Sequence, residues 1–164
     1  RAGPSLSRTA PTSADYGQRM MDVTVVCDRV PLDAEVLSRV TAAIFRGEGA
    51  DPLSVSLVVV DDAHMRQVNA EHLGHDWTTD VIAFDLREDT LDEDGPECEV
   101  YVNAELAARE ALSRGGEASS ELLFYVVHGL LHLLGYHDGT PAERGGMHAL
   151  QRRYLEAAGV IPPN

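Results

Sequence analysis

Val127-His128-Gly129-Leu130-Leu131-His132-Leu133-Leu134-Gly135-Tyr136-His137-Asp138 sets two histidines inside one of the most apolar runs of an otherwise acidic chain. His128 and His132 are four residues apart. On a helix rising about 1.5 Å per residue, that spacing puts both imidazoles on one face, one turn apart, within reach of a common ion. A further ligand has to come from chain that leaves the helix and turns back. Gly135 supplies the turn, because a residue just past a helix end often takes φ > 0, which costs glycine little. Tyr136-His137-Asp138 then folds toward the two histidines.

A lone histidine on a buried helix is usually a hydrogen-bonded core residue. Two neutral imidazoles on one apolar face, followed by a glycine break and a His-Asp pair, are costly to bury without a shared partner. The pattern therefore reads as a site for one divalent metal ion on a central apolar helix, with His128 and His132 as ligands and zinc as the first expectation. The same donor set also accepts nickel, manganese or iron. Metzincin proteases place their third ligand six residues after the second histidine, which here is Asp138. His137 is one step before it and binds zinc-like ions equally well, so both remain open as third ligand, the unused one lying behind the ligands. The residue after the first histidine is Gly129, where a zincin protease carries its general-base glutamate. Peptidase chemistry of that kind lacks its base here. Phosphodiester hydrolysis remains, with an open coordination position for water or a phosphoryl oxygen.

Around this stretch, 164 residues suffice for one domain with a single core. The two cysteines, Cys27 and Cys98, are too few for a disulfide framework and form no CxxC pair, which points to the cytoplasm. The apolar run Leu122 to Tyr136 is shorter than the roughly 18 residues of a membrane span, so no membrane partner is expected. A formal charge of -14 argues against broad attraction to nucleic acid, DNA included, because such binding rests on neutralising phosphates. All 13 basic residues are arginine. Peptidase or small-molecule hydrolysis is disfavoured by Gly129, and any nucleic-acid role must use local features.

Residues 1–19 are rich in Ser, Thr, Pro, Ala and Gly and read as a disordered leader, with one domain over 20–164. Strands are expected at Val23 to Val26, Ser54 to Val60, Val81 to Leu86 and Glu99 to Asn103. Helices are expected after the caps Asp33, Asp61 or Asp62, Asn103, Ser119 or Ser120, and Thr140, the last opening the capping box Thr140-Pro141-Ala142-Glu143. The acidic stretch Arg87 to Glu97 reads as a solvated loop. The order β-α-β-α-β-β-α-α-α predicts an α+β fold, one small mixed sheet of about four strands packed with about five helices.

HGLLHLLGYHD resembles the HGxLHLxGYDH signature of the YbeY-type endoribonucleases. Asn69, Asp76 and Thr79-Asp80-Val81-Ile82-Ala83-Phe84 resemble that family's LN, D and TDVLSF elements, and Cys98 to Val102 stands where it carries a GDI strand. The resemblance spans roughly Met21 to Gly159. It implies a metal-dependent, single-strand-specific endoribonuclease acting on ribosomal RNA in small-subunit 3′ end maturation and ribosome quality control. Single-stranded ribosomal RNA would be the substrate, with the ribosome or small-subunit proteins as partners. His128 and His132 would then serve catalysis through the ion, and Asp80 would stand behind a ligand or act as base. Asp80 also suits a turn at a strand entry. The family's terminal Asp-His appears here as His137-Asp138, and its arginine upstream of TDV aligns with Leu73. Those departures, with the acidic charge, keep open a second reading: a ribosome-assembly protein whose metal is structural. Trp77 and Tyr136 are candidates to stack on bases or to pack, and Arg66, Arg109 and Arg144 to touch phosphates or face solvent.

Overall fold

The computed structural model describes residues 21–88 and 95–164. The leader expected at 1–19 and the middle of the acidic loop lie outside the described residues. Along the described chain run β1 (Met21–Val25), α1 (Ala34–Glu48), β2 (Val55–Val60), α2 (Asp62–Leu73), β3 (Val81–Asp85), β4 (Cys98–Asn103), α3 (Ala104–Arg114), α4 (Ala118–Leu133) and α5 (Pro141–Ala157). The class and element order agree with the sequence reading.

One open sheet has the strand order β1-β2-β4-β3. β1, β2 and β4 run parallel, with Val59 paired to Val25 and to Val102. β3 joins β4 antiparallel at the far edge, with Val81 opposite Val102. Side chains alternate across a sheet, and both faces are used. Val55, Leu57, Val59, Val100 and Val102 face the main core with α1, α4 and α5. Val58 and Val60 point the other way and form a smaller core with Met65 and Val68 of α2 and Ile82 of β3.

Helix α4 is the centre of the larger core. Leu122, Val126, Val127, Leu130 and Leu131 are fully buried on it. It lies against β3 and β4 so closely that a Cβ on Gly129 would sit 2.9 Å from Val100 Cγ1 and 2.9 Å from Val81 Cγ2. Only glycine lets helix and sheet meet at that distance without movement. Position 129 faces the sheet, and a general-base glutamate could not be accommodated there.

The caps explain the helix limits. Asp33 accepts from the Glu35 and Val36 amides, Asp61 from His64, and Asn103 from Leu106. Thr140 and Glu143 close the reciprocal capping box, and Gly49, Gly74 and Gly115 end their helices in the left-handed region. Most strand limits differ from expectation by one residue, and two starts differ for a physical reason. Helix α4 begins at Ala118 with Glu117 at its cap position and no side-chain cap bond, ahead of Ser119 and Ser120. Strand β1 begins at Met21, because its pairing follows the backbone of β2 down to Val55, beyond the β-branched run itself.

Candidate metal centre

The last two turns of α4 carry His128 and His132, and the chain leaves the helix at Leu134. Gly135 takes φ 94°, a conformation open to glycine, and reverses the chain as its position predicted. The amides of Gly135 and Tyr136 donate to the His132 and Leu131 carbonyls, at 3.0 and 3.1 Å. This bend returns Asp138 to the histidines. Asp138 Oδ2 lies 3.2 Å from His128 Nε2 and 3.6 Å from His132 Nε2. The two Nε2 atoms are 2.8 Å apart. Of the two residues left open as third ligand, Asp138 is the one beside both imidazoles, while His137 is exposed to solvent.

The groups behind the imidazoles decide where their protons sit. His132 Nδ1 lies 3.0 Å from the Tyr136 carbonyl, which can only accept, so this nitrogen carries a proton and in the neutral ring Nε2 holds the lone pair. His128 Nδ1 lies 3.4 Å from Gln151 Oε1, and the Gln151 amide nitrogen is already donating to the Phe124 carbonyl at 3.0 Å. The glutamine is thereby oriented as an acceptor toward His128, whose neutral ring then holds its lone pair on Nε2. Two lone pairs and a carboxylate oxygen thus point at one place. Ligand atoms within 4.8 Å of one another repel unless a cation lies between them, so the donor set fits a divalent ion. His128 is the deepest of the three at 14% side-chain exposure, against 32% for His132 and 40% for Asp138, and the cluster opens to solvent on the Asp138 side.

The bend after α4 is fastened at two points. The Tyr136 hydroxyl donates to Glu48 Oε2 of α1 at 2.7 Å, and the Tyr154 hydroxyl of α5 donates to the other oxygen of the same carboxylate. Arg144 Nη1 donates to the Asp138 and Gly139 carbonyls at 3.0 and 3.1 Å. Tyr136 and Arg144, candidates for bases and phosphates, are spent on the scaffold.

Asp80 lines a cavity of about 330 Å³ together with His128, Thr79, Tyr125, Glu121 and Gln151. Its Oδ1 accepts from the Val81 amide at 2.9 Å and the Thr79 hydroxyl at 3.0 Å, the turn role that its position suggests. Its carbonyl accepts from Asn103, which ties it to β4. Deeper in the cavity, Glu121 is 2% exposed and pairs through Oε1 with Arg114 at 3.1 Å beside the Tyr125 hydroxyl. Burial pushes its carboxyl above the ordinary range, and Arg114 opposes that rise. Sequence reasoning missed Gln151 and Glu121. Gln151 had a signal, as the one polar residue on the otherwise apolar stripe Met147, Tyr154, Leu155 of α5.

The remaining candidate arginines are paired with carboxylates, and the other helix histidines pack on aromatic rings or lie half-buried. Arg66 pairs with Asp76 at 2.8 Å, and Arg109 pairs with Asp62, whose carboxyl is drawn down to about 2 by that bond and by Asn103. His72 packs on Phe84, and His148 packs on Phe124 at the mouth of the cavity. His64 is half-buried on α2.

A mixed four-stranded sheet crossed by an apolar helix, with two histidines of that helix and an aspartate of the following bend brought together, defines a small α+β domain with a possible metal-binding triad. The chain belongs to the Endoribonuclease YbeY family, whose model matches residues 28–159. It is 38% identical over 136 residues to an Endoribonuclease YbeY of Salinibacter ruber, covering 80% of this chain and 85% of the relative. It is 33% identical over 151 residues to that of Bacillus licheniformis, covering 86% and 96%. In fold it is similar to the solution structure of TM1509 from Thermotoga maritima, with a TM-score of 0.56 and 24% identity over 85% of this chain and 89% of that one.

Proposed function

We propose that the chain is a metal-dependent, single-strand-specific endoribonuclease, with one divalent ion, zinc first, held by His128, His132 and Asp138. The observation that carries this reading is the pair of imidazole Nε2 atoms 2.8 Å apart, each ring with its Nδ1 beside an oxygen acceptor and the pair faced by a carboxylate oxygen. A bound ion would supply Lewis acidity, drawing charge from a phosphoryl oxygen and making water more acidic. The protein's own groups do the rest. Gln151 and the Tyr136 carbonyl keep the Nδ1 protons in place and the ligand nitrogens aimed. Asp80 stands on the same cavity wall as His128, pinned through Oδ1, and its second oxygen is the group to take a proton from the attacking hydroxyl. A strand splayed open fits this site better than a duplex, since the cavity beside His128 is only about 330 Å³.

Family membership supports ribosomal RNA as the substrate, with maturation of the small-subunit 3′ end and ribosome quality control as the setting, in the cytoplasm. Among the described residues no helix is long and apolar enough to cross a membrane.

The test incubates the zinc-loaded full chain with unstructured RNA, with and without chelator. Cleavage that stops with chelator and returns with metal is expected. Cleavage that persists in chelator removes the ion from the reaction. Chelator-indifferent ribosome binding with no cleavage supports the assembly role instead. For the cellular setting, loss of the gene should leave small-subunit RNA with extended 3′ ends, and unchanged ends would remove that assignment.

A further inference from the structure

The loop between α2 and β3 presents an aromatic pair for which the fold has no use. The rings of His75 and Trp77 stack with centroids 4.2 Å apart and planes 22° apart. Trp77 is nevertheless 57% exposed, and Leu73 beside it is 49% exposed. An unsatisfied apolar surface of this kind normally marks contact with a partner. The loop that carries it is firmly held. Asn69, 2% exposed, donates to the Trp77 carbonyl at 2.8 Å, and Asn103, fully buried, donates to the Thr78 hydroxyl at 2.9 Å and the Thr79 carbonyl at 3.2 Å. A tryptophan fixed at the backbone but bare at the ring is pre-organised for a flat ligand.

The pair lines a cavity of about 340 Å³ with Leu73, Ala83 and Phe84, and that cavity meets the one containing His128 and Asp80 at Thr79, which lines both. A strand crossing the centre would therefore run onto the aromatic rings. Phosphate-binding charge is scarce on this path. Arg66 is engaged by Asp76, Arg109 by Asp62, and Arg114 by Glu110 and Glu121, in a chain of net charge -14.

We infer that His75 and Trp77 form a stacking platform for an unpaired base of the RNA strand, next to the phosphate held at the His128-His132-Asp138 centre, and that stacking outweighs phosphate charge in binding. This rests on the endoribonuclease reading. Every base offers a π face, so the platform is indifferent to sequence but requires bases.

Trp77 is the only tryptophan in the chain, so its emission reports on the platform directly. Zinc-loaded full-length protein is titrated with a 2′-O-methyl oligoadenylate and with an abasic strand of equal length and charge. Quenching of Trp77 by the first, with binding of the abasic strand weaker by at least about 10-fold, is expected. Affinity for the oligoadenylate should change by less than about threefold between 50 and 200 mM salt, roughly the dependence of a single phosphate contact. In cleavage of unmodified RNA, Trp77→Ala should raise KM about 10-fold with kcat within about twofold of wild type, and Trp77→Phe should restore most of the loss. Equal binding of the abasic strand, silent emission, or an unchanged KM in Trp77→Ala overturns the platform while leaving a cleaving enzyme standing. A wild-type protein that neither binds nor cleaves RNA removes both the nuclease reading and the platform.

Discussion

His128 and His132 stand on a helix whose inner face is buried, each backed by one acceptor that fixes its tautomer, whereas the facing wall, Gly74 to Asp80, is an exposed loop held by the buried amides Asn69 and Asn103. The helix wall is specified by packing. The two imidazoles and Asp138 are placed by the approach of α4 to the sheet at Gly129 and by the reversal at Gly135. The loop wall is specified by polar contacts, which fix the backbone and leave the His75 and Trp77 rings exposed. Ligands that must hold an ion to a fraction of an ångström belong on the first wall, and side chains that meet a variable strand belong on the second.

The comparison is broken most directly at the ligands. His132→Ala should reduce cleavage by more than about a hundredfold and lower bound metal after dialysis, with little loss of stability, since the side chain is 32% exposed. Thermal melts and elemental analysis of one preparation check both halves. A variant that keeps its metal and its rate places the chemistry elsewhere. Gln151→Leu probes the support behind the ligands. It fills similar volume but removes the acceptor for His128 Nδ1, so metal affinity should fall about 10- to 100-fold in competition with a chelating dye. An unchanged affinity would mean that the tautomer is fixed without Gln151.

Gly129→Ala tests the packing half. The added Cβ meets two branched side chains at 2.9 Å on adjoining strands, so α4 must shift, at a cost of about 1 to 3 kcal/mol in urea unfolding. The shift also moves His128, next in the chain, and should weaken metal binding. Lost stability with full metal affinity would show that the ligand turn adjusts independently of the sheet contact.

The helix wall was largely legible in the sequence and the loop wall was not, for a physical reason. The spacing of His128 and His132, the break at Gly135 and the caps at Asp33, Asn103 and Thr140 are local signals, written within a turn or two of the residues they govern. Which of His137 and Asp138 lies beside the two imidazoles was not local. It depends on how the bend lies against α1 and α5, through Tyr136 and Tyr154, which both meet Glu48 across 88 and 106 residues of sequence. Gln151 and Glu121 likewise acquire their roles only when α5 and α3 pack on α4. Asp80 could be placed at a strand entry, but its sharing of a cavity with His128 follows from the β3–β4 pairing.

The smallest effect concerns the base of the loop wall. Asp62 Oδ1 accepts from Asn103 at 2.8 Å and Thr78 at 3.2 Å while the carboxylate also pairs with Arg109, joining α2, β4, α3 and the loop. The Arg109 bond is the largest cause holding the Asp62 carboxyl down at about 2 against an ordinary value of 3.8. A depressed carboxyl stabilises the fold above the unfolded-state value, and that contribution disappears as pH falls through the folded value. Asp62 is 32% and Arg109 51% exposed at the side chain, so screening reduces the pair to within about 1 kcal/mol. Wild type and Arg109→Leu should therefore differ by up to about 1 kcal/mol near pH 6 and converge as pH falls from about 4 toward 2. A constant difference across that range would assign the role of Arg109 to the packing of its stem, leaving the loop held by the neutral amides alone.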